Sequence, residues 1–351
     1  GAAELKDSVV GIADNAFFQC DSLTSLKNLS KCTNIGMAAF YGCSALETVS
    51  LNSRLETIEA YTFYKCSSLF RISVPTMLQS VGRSAFYGCS NLKSLDFSES
   101  VAFASVGDFA FYNCSNLETV TFGENLTDLG RYSFKNCSAL VAVELPDTVT
   151  AVPEHAFANC ASLGTLKLGS GVTSIGEKAF YKCAGLTAVV LPDSVRTVGG
   201  SAFYKCTSLV TLSLGNSLER IGDFAFYNDG GIGSLILPGS LRQIGKYAFK
   251  GLNSLTALVI PKEVAAIAGN AFYGCNNATF YIEEGADTAR WNRRWNSSNR
   301  PVVSGVRLAG EGGYVAFLTT GEGTVKNGTY LSDQITPIAD PTRTGYTFAG
   351  W

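Results

Sequence analysis

Eleven cysteines and one histidine are the side chains best suited to chemistry here, and their spacing decides what chemistry is open to them. Structural zinc sites need four thiolate or imidazole ligands, commonly brought together as C-x-x-C pairs. No such pair occurs and His155 stands alone, so no metal and no other cofactor is expected. Ten of the cysteines instead occupy one recurring position, three residues after a phenylalanine, from Cys20, Cys43 and Cys66 through Cys206, and again at Cys275. Asp229 and Leu252 fill that position in two further copies. Cys32 falls eight residues before Phe40, where other copies carry Leu55 or Val172. Cysteines recurring in this way either bridge neighbouring copies or lie buried as reduced thiols that behave as small hydrophobes. Stacked copies would bring Cα atoms within the roughly 4.4 to 6.8 Å that a disulfide spans, but parallel Cβ vectors keep the sulfurs apart. Reduced, buried thiols are the expectation.

His155 lies two residues before Phe157, in a slot that other copies give to Tyr61, Tyr132, Lys178 or Tyr247. That reads as a variable surface position rather than a general base. The chain contains no P-loop, no H-E-x-x-H and no G-x-S-x-G, and no carboxylate pair recurs with the copies. No enzymatic activity is expected. Charged residues make up 16% of the chain with a net charge of −2, which leaves no basic stripe for a nucleic acid. No apolar run approaches the roughly 18 to 20 residues that span a bilayer, so no membrane insertion is expected. The chain opens on Gly1 rather than Met, which fits a trimmed protein whose targeting signal has been removed.

The elements that must position these residues are set by a strict period. The anchor phenylalanine recurs from Phe17 to Phe272 in twelve copies, every step being 23 residues except one of 25 between Phe86 and Phe111. Five residues before it stands Ile, Val or Leu, followed by Gly in eight copies, and immediately before it Ala in ten. Leu comes six residues after, and an apolar pair at nine and eleven after, such as Val49 with Leu51 and Val189 with Leu191. A spacing of two puts both side chains on one face of a strand. Pro75, Pro146, Pro192, Pro238 and Pro261 close such strands, where a missing donor costs little. The consensus is a leucine-rich repeat, within the usual period of about 20 to 29 residues. One unit cannot bury its apolar stripe alone, so the units stack into a solenoid with a parallel sheet on its concave face and few regular helices.

Units such as "LPDSVRTVGGSAFYKCTSL", 191–209, resemble the BspA-like leucine-rich repeat family, and the resemblance covers about four-fifths of the chain. It implies the solenoid fold, an extracellular or cell-surface location on a bacterial cell, and a part in adhesion to host or neighbouring cells. Residues 1–284 are assigned to the solenoid. Residues 285–300 are assigned to a capping segment, expected as a helix with Glu283, Glu284 and Asp287 ahead of Arg290, Arg293 and Arg294, and with Trp291 and Trp295 sealing the core. Residues 301–351 form a small β-rich module. Its ending, G-Y-T-F-A-G-W at 345–351, is similar to the Listeria–Bacteroides repeat, a β-grasp-like spacer, cut short after the tryptophan.

Three places could bind a partner. The strand positions eight and ten after each anchor should face outward; they carry Arg71, Asp96, Glu144 and Lys167, then turn apolar at Val190, Ile236, Val259 and Ile282. Solenoid sheet faces commonly bind partners, although exposed β-branched residues also simply suit a strand. Tyrosine follows the anchor in eight copies, Tyr181 and Tyr204 among them, and this column could dock a sugar or stack on itself. The two-residue insertion at 98–103 puts Phe103 where other copies hold Leu or Val and marks a third place. The expected partner is a protein on a host or neighbouring cell, such as a matrix protein, or a glycan. The chain itself is expected to be a monomer. A passive spacer is the alternative to a recognition scaffold.

Overall fold

The computed structural model describes residues 1–306 and, beyond them, the backbone of an antiparallel strand pair, Gly313–Ala316 and Gly328–Leu331. The 345–351 ending and its module resemblance lie outside the described residues. The chain is a parallel-strand solenoid of about 13 turns of about 23 residues. No α-helix occurs among the described residues; two short 3-10 turns, Leu29–Lys31 and Thr288–Arg290, are the helical content there.

A typical repeat supplies two short strands and an arc of turns. A three-residue strand such as Thr48–Ser50 pairs in parallel register with its counterpart Arg71–Ser73, its middle residue buried and its ends exposed. A two-residue strand such as Thr57–Ile58 pairs likewise with Ser80–Val81. Six of these two-residue strands, from Ala151–Val152 to Ala266–Ile267, form one continuous ladder. The glycine after the apolar residue is required by the approach of the rungs: a Cβ on Gly176 would lie 2.7 Å from the Glu154 nitrogen, and one on Gly130 2.2 Å from the Gly107 carbonyl carbon.

The arc carries the A-F-Y-x-C signature and is neither helix nor strand. Two residues before and two after each anchor, the backbone is left-handed, as at Tyr132 (φ 58°) and Asn136 (φ 65°) around Phe134. These turns aim alternate N–H groups at the next rung: Tyr132, Phe134 and Asn136 donate to the carbonyls of Glu154, Ala156 and Ala158 at 3.1, 2.8 and 2.8 Å. The intervening N–H groups of Lys135 and Cys137 close tight turns onto Tyr132 and Phe134. Buried backbone donors must be paired, and here the neighbouring rung does most of that pairing.

Inside the arc the anchors form an unbroken column from Phe17 to Phe272, with centroids 5.0 to 5.5 Å apart. Beside it runs the thiol column. All eleven cysteines are free, and all but Cys20 are buried. Each interior thiol of the column donates to the anchor carbonyl one rung back, as Cys43 to Phe17 (3.1 Å) and Cys137 to Phe111 (3.2 Å). That carbonyl already accepts the N–H of its own repeat's cysteine, so the thiol fills its second lone pair. Burial pushes the thiols up, to about 12 at Cys43 and Cys275, which keeps them protonated as donors.

Asp229 takes a thiol's place and is fully buried, its carboxyl oxygens without hydrogen-bond partners. Burial raises its pKa well above the ordinary carboxylate range. The same repeat carries Gly230, Gly231 and Gly233 and forms no three-residue strand, so none lies between Thr211–Ser213 and Ala257–Ile260.

The C-terminal end departs from expectation in three ways. The last repeat is one residue short, so Phe280 stands opposite Leu258 and Ile282 opposite Ile260, facing inward. A one-residue slip exchanges the two faces of a strand, and Ile282, expected on the outer face, is buried. No capping helix forms: after the 3-10 turn, the Asn292 side chain accepts from Arg294 N–H and that of Asn296 from Arg300 N–H. Such local side-chain bonds compete with helix. Trp291 is nonetheless buried, its Nε1 donating to Val264 at 2.9 Å, and Trp295 packs on Phe272 and Phe280. Finally, Val302–Val306 pairs in parallel with Thr279–Glu283, so the sheet extends past both boundaries drawn at 284 and 301.

Two outcomes follow from the thiol column. A thiol reagent applied to the folded protein should titrate Cys20 alone, and all eleven cysteines once denaturant is added; rapid labelling of interior positions would mean that the rungs open locally. For Asp229, a carboxyl whose pKa is raised on folding contributes fully only below its unfolded value of about 3.9, and that contribution is lost as pH rises toward the folded value. Asp229→Cys should therefore stabilise the protein at neutral pH by about 1–3 kcal/mol. Urea melts should show the gain shrinking as pH falls toward about 4; a pH-independent gain would contradict the buried acid.

Candidate functional site

Outward-facing residues fall on the strand face and on the arc. On the strand face, Arg71 opens the strand Arg71–Ser73, and Asp96, Glu144, Lys167 and Val190 each end one of the other three-residue strands, all exposed. Glu144 and Lys167 are register partners and form an ion pair. Asp96 accepts the N–H of Ser98 and so closes the turn after its strand. Arg71 forms no ion pair among the described residues. Val190 is 60% exposed and Ile236 56%, the latter in the repeat that lacks its strand. The charged residues and the apolar ones thus lie at different levels of the stack, and Glu144 and Lys167 are the two that form an ion pair.

Phe103 is not on a surface at all. It is fully buried, its ring stacked on Phe97 at 4.2 Å, because the insertion is absorbed by an outward turn. Ser100, also buried, anchors that turn through its hydroxyl to the Pro75 carbonyl at 2.7 Å. What the insertion exposes is Val101, at 76%.

On the arc, Tyr181 and Tyr204 stack at 5.0 Å, Tyr204 on Tyr227 at 4.6 Å, and a second run from Phe18 to Tyr112 does the same at 4.5 to 4.8 Å. Stacking covers the ring faces, leaving edges and hydroxyls. Lys182 and Lys205 lie 5.3 and 5.6 Å from the centroids of Tyr181 and Tyr204. Tyr204 therefore offers a sugar no open face, and Tyr181 has one face taken by Tyr204. The aromatic surface changes column where Lys135 and Ala158 replace tyrosine: Phe109, Tyr132 and His155 stack at 4.7 and 4.6 Å two residues ahead of their anchors. The Tyr132 hydroxyl donates to Glu154 at 2.8 Å, and His155 Nδ1 lies 3.2 Å from the same carboxylate. Burial, then the charges of Lys135 and Lys178, lower the His155 pKa, so its imidazole is neutral at pH 7 and serves as a stacking ring. Among the described residues no three potential metal ligands converge.

Beside the tyrosine edges lies a trough of about 570 Å³, which sequence reasoning missed. It runs across five rungs between two columns. Two residues after the anchors stand Asn113, Asn136 and Asn159, whose amides chain together at 2.6 and 2.8 Å. Four residues after stand Ser90, Ser115 and Ser138, each hydroxyl donating to the carbonyl of the serine one rung back. The sequence signal of the trough is N-C-S repeated at 113–115 and 136–138.

Residues 2–105, 102–197 and 173–292 match the BspA type leucine rich repeat region in six copies. Among solved structures, the chain is similar to a leucine-rich repeat protein from Bacteroides ovatus: 25% identity, covering 86% of this chain and 91% of that one, with a TM-score of 0.59. It is also similar to a leucine rich cell surface protein from Faecalibacterium prausnitzii: 21% identity over 84% and 89% of the two chains, TM-score 0.44. No curated protein matches the chain.

If the tyrosine column is a packed element rather than a free ligand platform, Tyr204→Ala should cost about 1–3 kcal/mol through its two lost stacking contacts. Thermal or urea melts check this; an unchanged midpoint would return Tyr204 to the list of dispensable surface residues.

Proposed function

Because the chain belongs to the BspA-type leucine-rich repeat family, we propose that it is a non-enzymatic recognition scaffold, an adhesin displayed outside a bacterial cell. Its strand face would bind a protein on a host or neighbouring cell. The observation that carries this reading is the contrast between the strand ends and the rest of the repeat. Anchors, thiols and apolar slots repeat almost without change, while the strand ends vary from Arg71 through the Glu144–Lys167 pair to the bare Val190 and Ile236. A surface that departs from its own repeat, and exposes apolar side chains as it does so, has the makings of a contact. An exterior location is compatible with eleven unpaired cysteines. The thiolate is the species that oxidises, and burial keeps the interior thiols protonated and out of reach.

The experiment is binding of residues 1–306 to an array of purified cell-surface and matrix proteins, beside the variants Arg71→Glu and Val190→Ser/Ile236→Ser. Saturable binding to at least one protein, weakened about tenfold or more by either variant, is the expected result; truncating a buried anchor typically costs that much. Saturable binding that neither variant disturbs would move the contact off this face, and no binding to any protein would favour a passive spacer.

A further inference from the structure

We propose that the trough across the Asn113, Asn136 and Asn159 rungs is a second recognition site, independent of the strand face, that takes a linear neutral polysaccharide. Its two walls are chemically distinct. Each of Asn136 and Asn159 spends one amide proton on the asparagine before it, at 2.6 and 2.8 Å, which fixes the amide plane and leaves the second proton to point a hydrogen bond elsewhere. Opposite them, Ser115 and Ser138 spend their hydroxyl protons on backbone carbonyls at 3.5 and 3.1 Å, which leaves the oxygen lone pairs as acceptors. One wall therefore donates and the other accepts, rung after rung. A ligand that satisfies both must offer acceptor and donor together at each step along its length, and a sugar hydroxyl is both.

The period points the same way. Neighbouring rungs pair as parallel strands, which sets the step along the trough at about 4.7 to 4.9 Å. A pyranose in an extended chain is of comparable length, so a linear polysaccharide lying along the walls meets a donor and an acceptor at each sugar. Charge narrows the class further. The lining includes one cation, Lys65 at one end, and no carboxylate. A polyphosphate or polyuronate would bring one anion per unit to a site with a single ammonium. Gly88 opens the floor between Lys65 and Asn113: its backbone is left-handed (φ +74°), and a Cβ there would come to 3.5 Å from the Lys65 chain. The amide ladder is confined to this stretch, since the same slot holds Lys182 and Lys205 in the rungs that follow.

The slot itself supplies a clean test. Its backbone is left-handed in every repeat, and Gly42, Gly88, Gly251 and Gly274 occupy it elsewhere. Asn113→Gly/Asn136→Gly/Asn159→Gly therefore removes the amides with the arc intact, and Asn228→Gly is the matched control outside the trough. The probes are soluble β-glucan, xylan, mannan and galactan with their hexasaccharides, compared with polygalacturonate, polyphosphate and the free monosaccharides, by affinity electrophoresis and calorimetry. The expected result is retention by at least one neutral polysaccharide, competition by its hexasaccharide, an affinity about tenfold or more lower in the triple variant, and no change in Asn228→Gly. The proposal is overturned by any of four results: no neutral polysaccharide binds, the triple variant binds as tightly as the parent, only the anionic polymers bind and salt abolishes it, or a monosaccharide binds as tightly as its polymer. Protein binding at the strand face is read separately, so failure of either site leaves the other standing.

Discussion

The structure depends on one backbone arrangement, the arc in which three alternate N–H groups reach the carbonyls of the next rung in the ten repeats anchored from Phe17 to Phe226. It is possible only because two residues per repeat accept a left-handed conformation, a state that costs ordinary L-residues energy. Glycine and asparagine meet that demand at little cost, but Tyr132, His155, Lys182 and Lys205 hold it too. At those positions the conformation is imposed by the neighbours above and below, since every donated hydrogen bond would be lost if a residue relaxed. A rung is therefore stable in a stack and has little to hold it alone, which is the physical content of a repeat protein.

The columns inside and outside the arc follow from that stacking. Once rungs are held in register, whatever occupies a slot meets its own kind: phenylalanine on phenylalanine, tyrosine on tyrosine, asparagine amide to asparagine amide. Cysteine fits the slot behind the anchor because a thiol is small, apolar and still a donor to the second lone pair of the Phe carbonyl. Leu252 keeps the packing and gives up that bond. Asp229 keeps a donor only while protonated, and it sits in the repeat that carries three glycines and lacks its three-residue strand.

Recognition is then a matter of which columns are broken or polar enough to meet something other than themselves. The tyrosine faces are spent on each other and on lysines. The strand ends Arg71 and Val190 are not, and the walls of the trough keep one amide proton on each of Asn136 and Asn159 and the lone pairs of the serine hydroxyls. The two surfaces differ in kind: one irregular and partly apolar, the other periodic and polar.

The period of 23, the anchor column, the buried thiols and the outward strand ends at Arg71, Asp96, Glu144, Lys167 and Val190 were all legible in the sequence, because each depends on a residue type recurring at a set distance. What periodicity does not carry is any departure from it. The shortened last repeat turned Ile282 inward. The insertion hid Phe103 and exposed Val101, and asparagine side chains turned an expected helix into a further rung. Nor does a column of letters say which groups are already spent: that the Tyr204 faces are covered, and that Asn136 keeps one amide proton free, depends on the distance between rungs. By itself the sequence determined what each rung contains. The tertiary stack decided what each rung has left over, because hydrogen bonds and ring contacts are spent between residues far apart in the chain.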